Sequence, residues 1–222
     1  MPVKLSQKFS VEKAHRMQLQ LSEQVIREDQ LPDTINYVAG VDVAYTLETS
    51  IAAVAVLNFN SLSLVESQVA HLKTRFPYIP TLLSFRELPP TLSATNKLRV
   101  QPDVFLVDGH GIAHPYHFGF AAHFGLTIDQ PTIGIAKSLL CGKVELLEKQ
   151  SWAPITDKGE VIGAALVTKP GRKPIYVSIG HRVSLEKAIN IVIECTKNYR
   201  IPDPIRTAHI IADEKKRKLG LT

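Results

Sequence analysis

Val38-Ala39-Gly40-Val41-Asp42-Val43 is an apolar run with a carboxylate close to its end, and Val104-Phe105-Leu106-Val107-Asp108-Gly109 repeats the arrangement further along the chain. Short continuous apolar runs of this kind read as buried strands. An unpaired carboxylate is costly to bury, so two of them at strand ends suggest a shared divalent cation at one edge of a sheet. Taken singly, each aspartate also suits an ordinary strand-end turn. A third acid, Glu87, lies in the loop-like stretch Pro80-Thr81-Leu82-Leu83-Ser84-Phe85-Arg86-Glu87-Leu88-Pro89. The three acids together point to metal-assisted phosphodiester chemistry.

Around these runs the pattern divides the chain into two styles. Residues 10–29 carry Ala14, Met17, Leu21 and Val25 at helical spacing, which predicts an amphipathic helix. Strands are expected over 38–45, 51–59 and 63–70, and their short connectors suit antiparallel hairpins. A proline-punctuated loop then leads to a helix expected over 91–100. Strands at 103–108 and 132–136 alternate with a helical stretch near 117–125, which argues for parallel pairing and a sheet covered on both faces. Further strands are expected at 161–168 and 175–179. A helix over 184–197 begins at a Ser184 N-cap, and a last helix runs from about 204 into the basic run at 215–218. An α/β fold with a mixed central sheet follows, a three-strand antiparallel meander first and alternating helices and parallel strands after it. No repeat or linker divides residues 1–222, so one domain is expected. With aspartates on the first and fourth strands the layout resembles the ribonuclease H-like fold, in which those strands are neighbours.

Composition sets the outer bounds. The 222 residues carry a formal charge of +5 and 45% hydrophobic residues, compatible with a polyanionic partner. The two cysteines, Cys141 and Cys195, form no CxxC pair, which argues against a zinc module or a disulfide framework. The N-terminal segment lacks the apolar core of a signal peptide and no run is long enough to span a bilayer. The expectation is a cytoplasmic protein with no membrane partner, and a monomer.

Other side chains carry two readings each. His110, His114, His117 and His123 form a local cluster whose spacing fits no zinc signature, and the glycines in Asp108-Gly109-His110-Gly111 allow backbone to approach a ligand closely. Lys137 follows a strand and is placed either to stabilise charge on a phosphate or simply to be solvated. In Arg75-Phe76-Pro77-Tyr78-Ile79-Pro80, prolines stiffen an aromatic–aliphatic tip that suits a wedge between bases or a plug against the core. His209, on the expected last helix, is either a nitrogen near the metal or a plain surface histidine.

Six motifs in series, Gly40-Val41-Asp42-Val43, Pro77-Tyr78-Ile79-Pro80, Leu83-Ser84-Phe85-Arg86-Glu87, Val107-Asp108-Gly109-His110-Gly111, Gly134-Ile135-Ala136-Lys137 and Gly180-His181-Arg182-Val183-Ser184, together resemble the endonuclease V family, the deoxyinosine 3′ endonucleases, from about residue 20 to 210. The resemblance implies a ribonuclease H-like, Mg²⁺- or Mn²⁺-dependent nuclease. It would flip out hypoxanthine and cut the second phosphodiester bond 3′ to it, leaving 5′-phosphate ends in DNA repair. Carried over, it implies Asp42 and Asp108 as metal ligands, with Glu87, Lys137 and His209 completing the catalytic set. Tyr78, with Pro77, Ile79 and Pro80, would form the wedge. Leu83, Ser84, Gly109, His110 and Gly111 would line the lesion pocket. Inosine in RNA is the alternative substrate, and a non-catalytic lesion binder a third reading. The chain departs from the family pattern at Thr81, where the pattern carries glycine, and this implies a stiffer wedge with altered lesion tolerance.

Overall fold

The computed structural model describes residues 10–145 and 151–219. Strands β1 (Tyr37–Tyr45), β2 (Thr49–Asn58) and β3 (Leu64–Lys73) form the expected antiparallel meander. After helix α2 (Leu83–Thr95), β4 (Val104–Asp108) returns parallel to β1, and after α3 (Phe120–Ile128), β5 (Thr132–Ala136) pairs parallel to β4. The chain then departs from the expected parallel alternation. Strands β6 (Lys143–Val144), β7 (Trp152–Asp157), β8 (Glu160–Leu166) and β9 (Ile175–His181) pair antiparallel in succession, with no helix between them among the described residues. β9 also lies antiparallel to β5. The nine-stranded order is β3-β2-β1-β4-β5-β9-β8-β7-β6, a ribonuclease H-like sheet.

Strand periodicity sorts the core into two layers. Val38, Ala53, Ala55, Val104 and Leu106 face one side, where α4 (Leu185–Glu194) and α5 (Asp203–Lys218) supply Ala188, Ile189, Ile205, Ala208 and Ala212. Ala39, Val41, Val54, Phe105 and Val107 face the other, against Ala94 of α2 and Ala121 and Phe124 of α3. α5 comes unusually close to β1 because Gly40 has no side chain: a Cβ there would lie 1.9 Å from the carbonyl oxygen of Pro204. Among the described residues no helix is long and apolar enough to cross a membrane, and both cysteines are free.

Three expectations about helices need correction. The N-terminal helix, α1 (Val11–Ser22), ends before Val25, and its buried face is Ala14 and Gln18 while Met17 is exposed. Gln18 is buried because its amide Nε2 donates to two carbonyls, those of Thr81 (2.9 Å) and Phe118 (3.0 Å). The stretch around Glu87 is helix and not loop, and α2 occupies 83–95 in place of 91–100. Pro89 and Pro90 sit inside it, so packing of α2 against β2 and α3 overrides two poor helix formers. α4 is shorter than expected, but Ser184 caps it, accepting from the Lys187 amide at 3.2 Å.

Candidate active site

Parallel pairing of β1 with β4 sets Val41 opposite Val107, so the next residues, Asp42 within β1 and Asp108 at the end of β4, lie side by side where β4 stops and β1 runs on to Tyr45. β5 ends at the same edge and delivers Lys137, whose Nζ lies 2.5 Å from Asp108 Oδ2. α5, drawn in by the Gly40 contact, sets His209 Nδ1 2.7 Å from Asp42 Oδ2 and Nε2 3.5 Å from Asp213. α2 brings Glu87 from the opposite layer. Asp42, Glu87, Asp108, Lys137 and His209 therefore line one cavity of about 360 Å³, together with Tyr45, Leu83, Asp213 and Lys216. Elements spread over most of the sequence meet there because it is the end of the central strands, where ligands bind in open α/β sheets.

The electrostatics of this cavity are those of excess negative charge. Glu87 is buried, and its Oε1 accepts from the Tyr45 hydroxyl at 2.7 Å while Oε2 has no partner. Burial pushes its carboxyl up to about 8; the Tyr45 hydrogen bond opposes this, and the charges of Asp42 and Asp108 add to the rise. Burial and the neighbouring Asp42 also raise Asp108, with Lys137 opposing. For Lys137 the desolvation of a half-buried ammonium works downward, but Asp108 outweighs it and the pKa rises. Three crowded carboxylates, one with an orphaned buried oxygen, are a donor set suited to a hard divalent cation. Among the described residues no three His, Cys, Asp or Glu side chains are grouped so as to hold a metal ion by themselves, so a cation here would depend on water or phosphate oxygens for the rest of its sphere. The four central histidines do not converge on one point. His123 bonds Ser84 Oγ at 3.1 Å and His117 faces Glu160 at 3.9 Å.

A second cavity, about 250 Å³, adjoins the first through Leu83. It is lined by Tyr78, Ile79, Pro80, Thr81, Ser84, Gly109, His110, His114, Phe120 and Leu140 among others. Tyr78 is 68% exposed, which removes the core-plug reading of the tip. His110 and His114 are held to about 4 by burial, so both imidazoles are neutral at pH 7, and His110 Nδ1 has no partner. Gly111 stands apart from the other expected pocket residues. It is buried beneath the cavity, its N–H donates to Ser178 Oγ at 2.9 Å, and a Cβ there would lie 1.9 Å from the Ile179 carbonyl oxygen. Its small size serves packing against β9.

The residue below the tip was singled out in the sequence for its side chain, and the backbone explains it. Thr81 has φ +71°, a left-handed conformation that glycine adopts freely and that costs a β-branched residue about 1–3 kcal/mol. Its hydroxyl is fixed by Pro80 O at 2.5 Å and His15 Nε2 at 2.9 Å, and Gln18 holds its carbonyl. His15 is in turn stacked on Tyr116, ring centroids 4.1 Å apart. Helix α1 thus clamps the base of the tip. Sequence reasoning missed His15 and Gln18, since a helical Gln at an apolar-face position reads as a solvated one.

The family model for endonuclease V matches residues 19–210. Endonuclease V of Rippkaea orientalis is 50% identical over 217 residues, 96% of this chain and 94% of that protein. The crystal structure of endonuclease V from Streptomyces avermitilis superposes with a TM-score of 0.89 at 34% identity, covering 99% of this chain and 100% of that one. Ciona intestinalis endonuclease V, solved in complex with a 24mer DNA containing an inosine followed by a ribo-adenosine, gives 0.85 at 31% identity, covering 94% of this chain and 98% of that one. Near-full coverage in both directions, on a fold whose strand-borne aspartates meet in one cavity, leads to a single assignment: the chain belongs to the endonuclease V family and is an endonuclease that hydrolyses phosphodiester bonds.

Proposed function

We propose that this endonuclease acts in DNA repair on deoxyinosine, depends on a divalent cation, Mg²⁺ with Mn²⁺ as a substitute, and hydrolyses the second phosphodiester bond 3′ to the lesion. The observation that carries the reading is the junction of two cavities. An acidic cluster of Asp42, Asp108 and the orphaned Glu87 Oε2 lies one side chain, Leu83, from a neutral pocket under the exposed Tyr78 tip. A relative bound to inosine-containing DNA supports the same substrate.

The pocket suits a flipped purine. Extruding a base costs a few kcal/mol, least for a poorly paired one, and Tyr78 with Pro77, Ile79 and Pro80 would fill the gap left in the stack. Backbone at Gly109 and Leu83, the Ser84 hydroxyl and the neutral His110 offer hydrogen-bonding groups without charge. An exocyclic amino group of adenine or guanine would leave one of them mispaired, and such a site discriminates strongly.

At the cutting end Asp42 and Asp108 would hold the cation with Glu87 behind them. When bound, it would supply an activated water and neutralise charge on the phosphate. Lys137, released from Asp108 by the arriving phosphate, would stabilise the charge that builds on the non-bridging oxygens. His209, oriented by Asp42 and Asp213, would hand a proton to the departing 3′-oxygen, and the downstream strand would leave with a 5′-phosphate.

The test is nicking of an end-labelled inosine duplex with and without Mg²⁺, beside the matched RNA and with Asp42→Ala as control. Metal-dependent DNA nicking one bond beyond the lesion's 3′ neighbouring linkage is the expected result, lost in Asp42→Ala. Cutting confined to RNA would replace the DNA reading with the ribonuclease one. Tight binding with no cutting of either would overturn the catalytic roles.

A further inference from the structure

Next to the acidic cavity lies a third, about 340 Å³, lined by Lys137, Tyr199, Arg200, Ile205, Arg206 and His209 among others. It shares Lys137 and His209 with the acidic cavity and no residue with the lesion pocket. The acidic cavity thus adjoins both of the others, the neutral one through Leu83 and the cationic one through Lys137 and His209.

The charge of this third cavity is uncompensated. Arg200 is anchored by carbonyls, its Nε donating to Lys173 O and its Nη2 to Lys137 O and Pro174 O, at 2.8–3.0 Å. Carbonyls orient a guanidinium but leave its charge intact. Arg206 lies over the Tyr199 ring, Cζ 3.4 Å from the centroid, a cation–π contact that fixes the side chain and leaves its N–H edge available. Among the described residues neither arginine pairs with a carboxylate. Two fixed and unpaired guanidiniums beside an acidic cluster are an anion subsite. A direct backbone tie, from Arg200 to the Lys137 carbonyl, joins it to the acidic cavity.

We infer that this cavity is the subsite for the strand downstream of the cut, with Arg206 and Arg200 gripping the first phosphodiester 3′ of the scissile one. The inference rests on the reading of the acidic and neutral cavities given above. If the lesion lies in the neutral pocket and the cut occurs 3′ to it at the acidic cluster, the next linkage along the strand reaches the cationic cavity. The grip would hold the leaving strand in register and slow its release after hydrolysis.

The experiment is a double-mutant cycle between protein and substrate. An inosine duplex with one neutral methylphosphonate at the first linkage 3′ of the cut is compared with the all-phosphate duplex, using wild type, Arg206→Gln and Arg206→Lys. Loss of one charge-assisted contact to phosphate predicts a KM raised about tenfold by either change alone. Arg206→Gln is expected to add no further loss on the methylphosphonate, and Arg206→Lys to recover part of the affinity on the natural duplex. Losses that multiply, or KM values that neither change moves, overturn the subsite while the cutting itself stands. A wild-type enzyme that cuts no inosine duplex overturns the underlying reading and the subsite with it. Thermal melts of the three proteins exclude unfolding as the source of any loss.

Discussion

Replacing Glu87 with glutamine stabilises the metal-free protein even as it removes activity, and the gain grows with pH. The native carboxyl holds its proton up to about 8, against an ordinary value of 4.5, because it is buried and faces Asp42 and Asp108. Its contribution therefore runs opposite to that of a salt-bridged acid. Below pH 4.5 it is neutral in both states and costs nothing. Between 4.5 and 8 the unfolded chain releases the proton while the native state keeps it, so stability falls as pH rises, and above 8 the penalty is constant. At about 1.36 kcal/mol per pH unit, the penalty is about 3 kcal/mol at pH 7 and about 5 kcal/mol at pH 9. For a chain of 222 residues, 3 kcal/mol corresponds to about 6 °C in Tm. The assay is urea unfolding of wild type and Glu87→Gln in EDTA from pH 5 to 9. The amide must still be accommodated where Oε2 has no partner, but that cost does not vary with pH, so the slope is diagnostic. His110, His114 and His123, all held near 4 by burial, withdraw stability from both proteins as pH falls below 6.5, and this cancels in the difference. Saturating Mg²⁺ should flatten the wild-type curve by replacing the proton. Parallel pH curves for the two metal-free proteins would refute the assignment of Glu87 as a strained buried acid.

Other perturbations separate the scaffold from the site. Gly40→Ala drives a Cβ against the Pro204 carbonyl and should cost about 3 kcal/mol by overpacking; because α5 carries His209, nicking should fall further than the unfolding midpoint predicts. Tyr78→Ala, at an exposed position, should change stability by less than about 0.5 kcal/mol while weakening inosine-duplex binding about tenfold, the worth of one aromatic–base stack, as read by fluorescence anisotropy. Gln18→Leu removes the amide donor to the carbonyls of Thr81 and Phe118, which should cost about 2–4 kcal/mol; loosening of the Pro77–Pro80 tip should appear as faster hydrogen exchange at residues 76–82.

What the sequence made legible follows from which interactions are local. Asp42 and Asp108 stood out because continuous apolar runs mark buried strands, and the meander announced itself through short connectors. The direction of β9 was hidden, since antiparallel pairing with β5 depends on how the chain between them is routed. α2 was masked by Pro89 and Pro90, and only its packing between β2 and α3 makes that segment helical and carries Glu87 into the site. Gln18 and Thr81 owe their roles to partners more than sixty residues away. Nothing in the local sequence marks Arg200 and Arg206; the fold sets them beside Lys137 in one cavity. Long-range partnership is what a one-dimensional pattern cannot display.

Asp108 ends β4, and Gly109 and His110, which line the neutral cavity, are the next two residues in the chain. The anchor for the cation and the wall of the lesion pocket are thus joined by covalent bonds, not by a hinge between domains. Two residues span at most about 7 Å, a length that thermal motion of surrounding loops cannot stretch. On the proposed reading the molecule is a fixed calliper, with one jaw on the damaged base and the other on the backbone. The offset between lesion and nick is then built into the peptide, and widening the wedge or exchanging the metal should alter how often the jaws close but not where they cut.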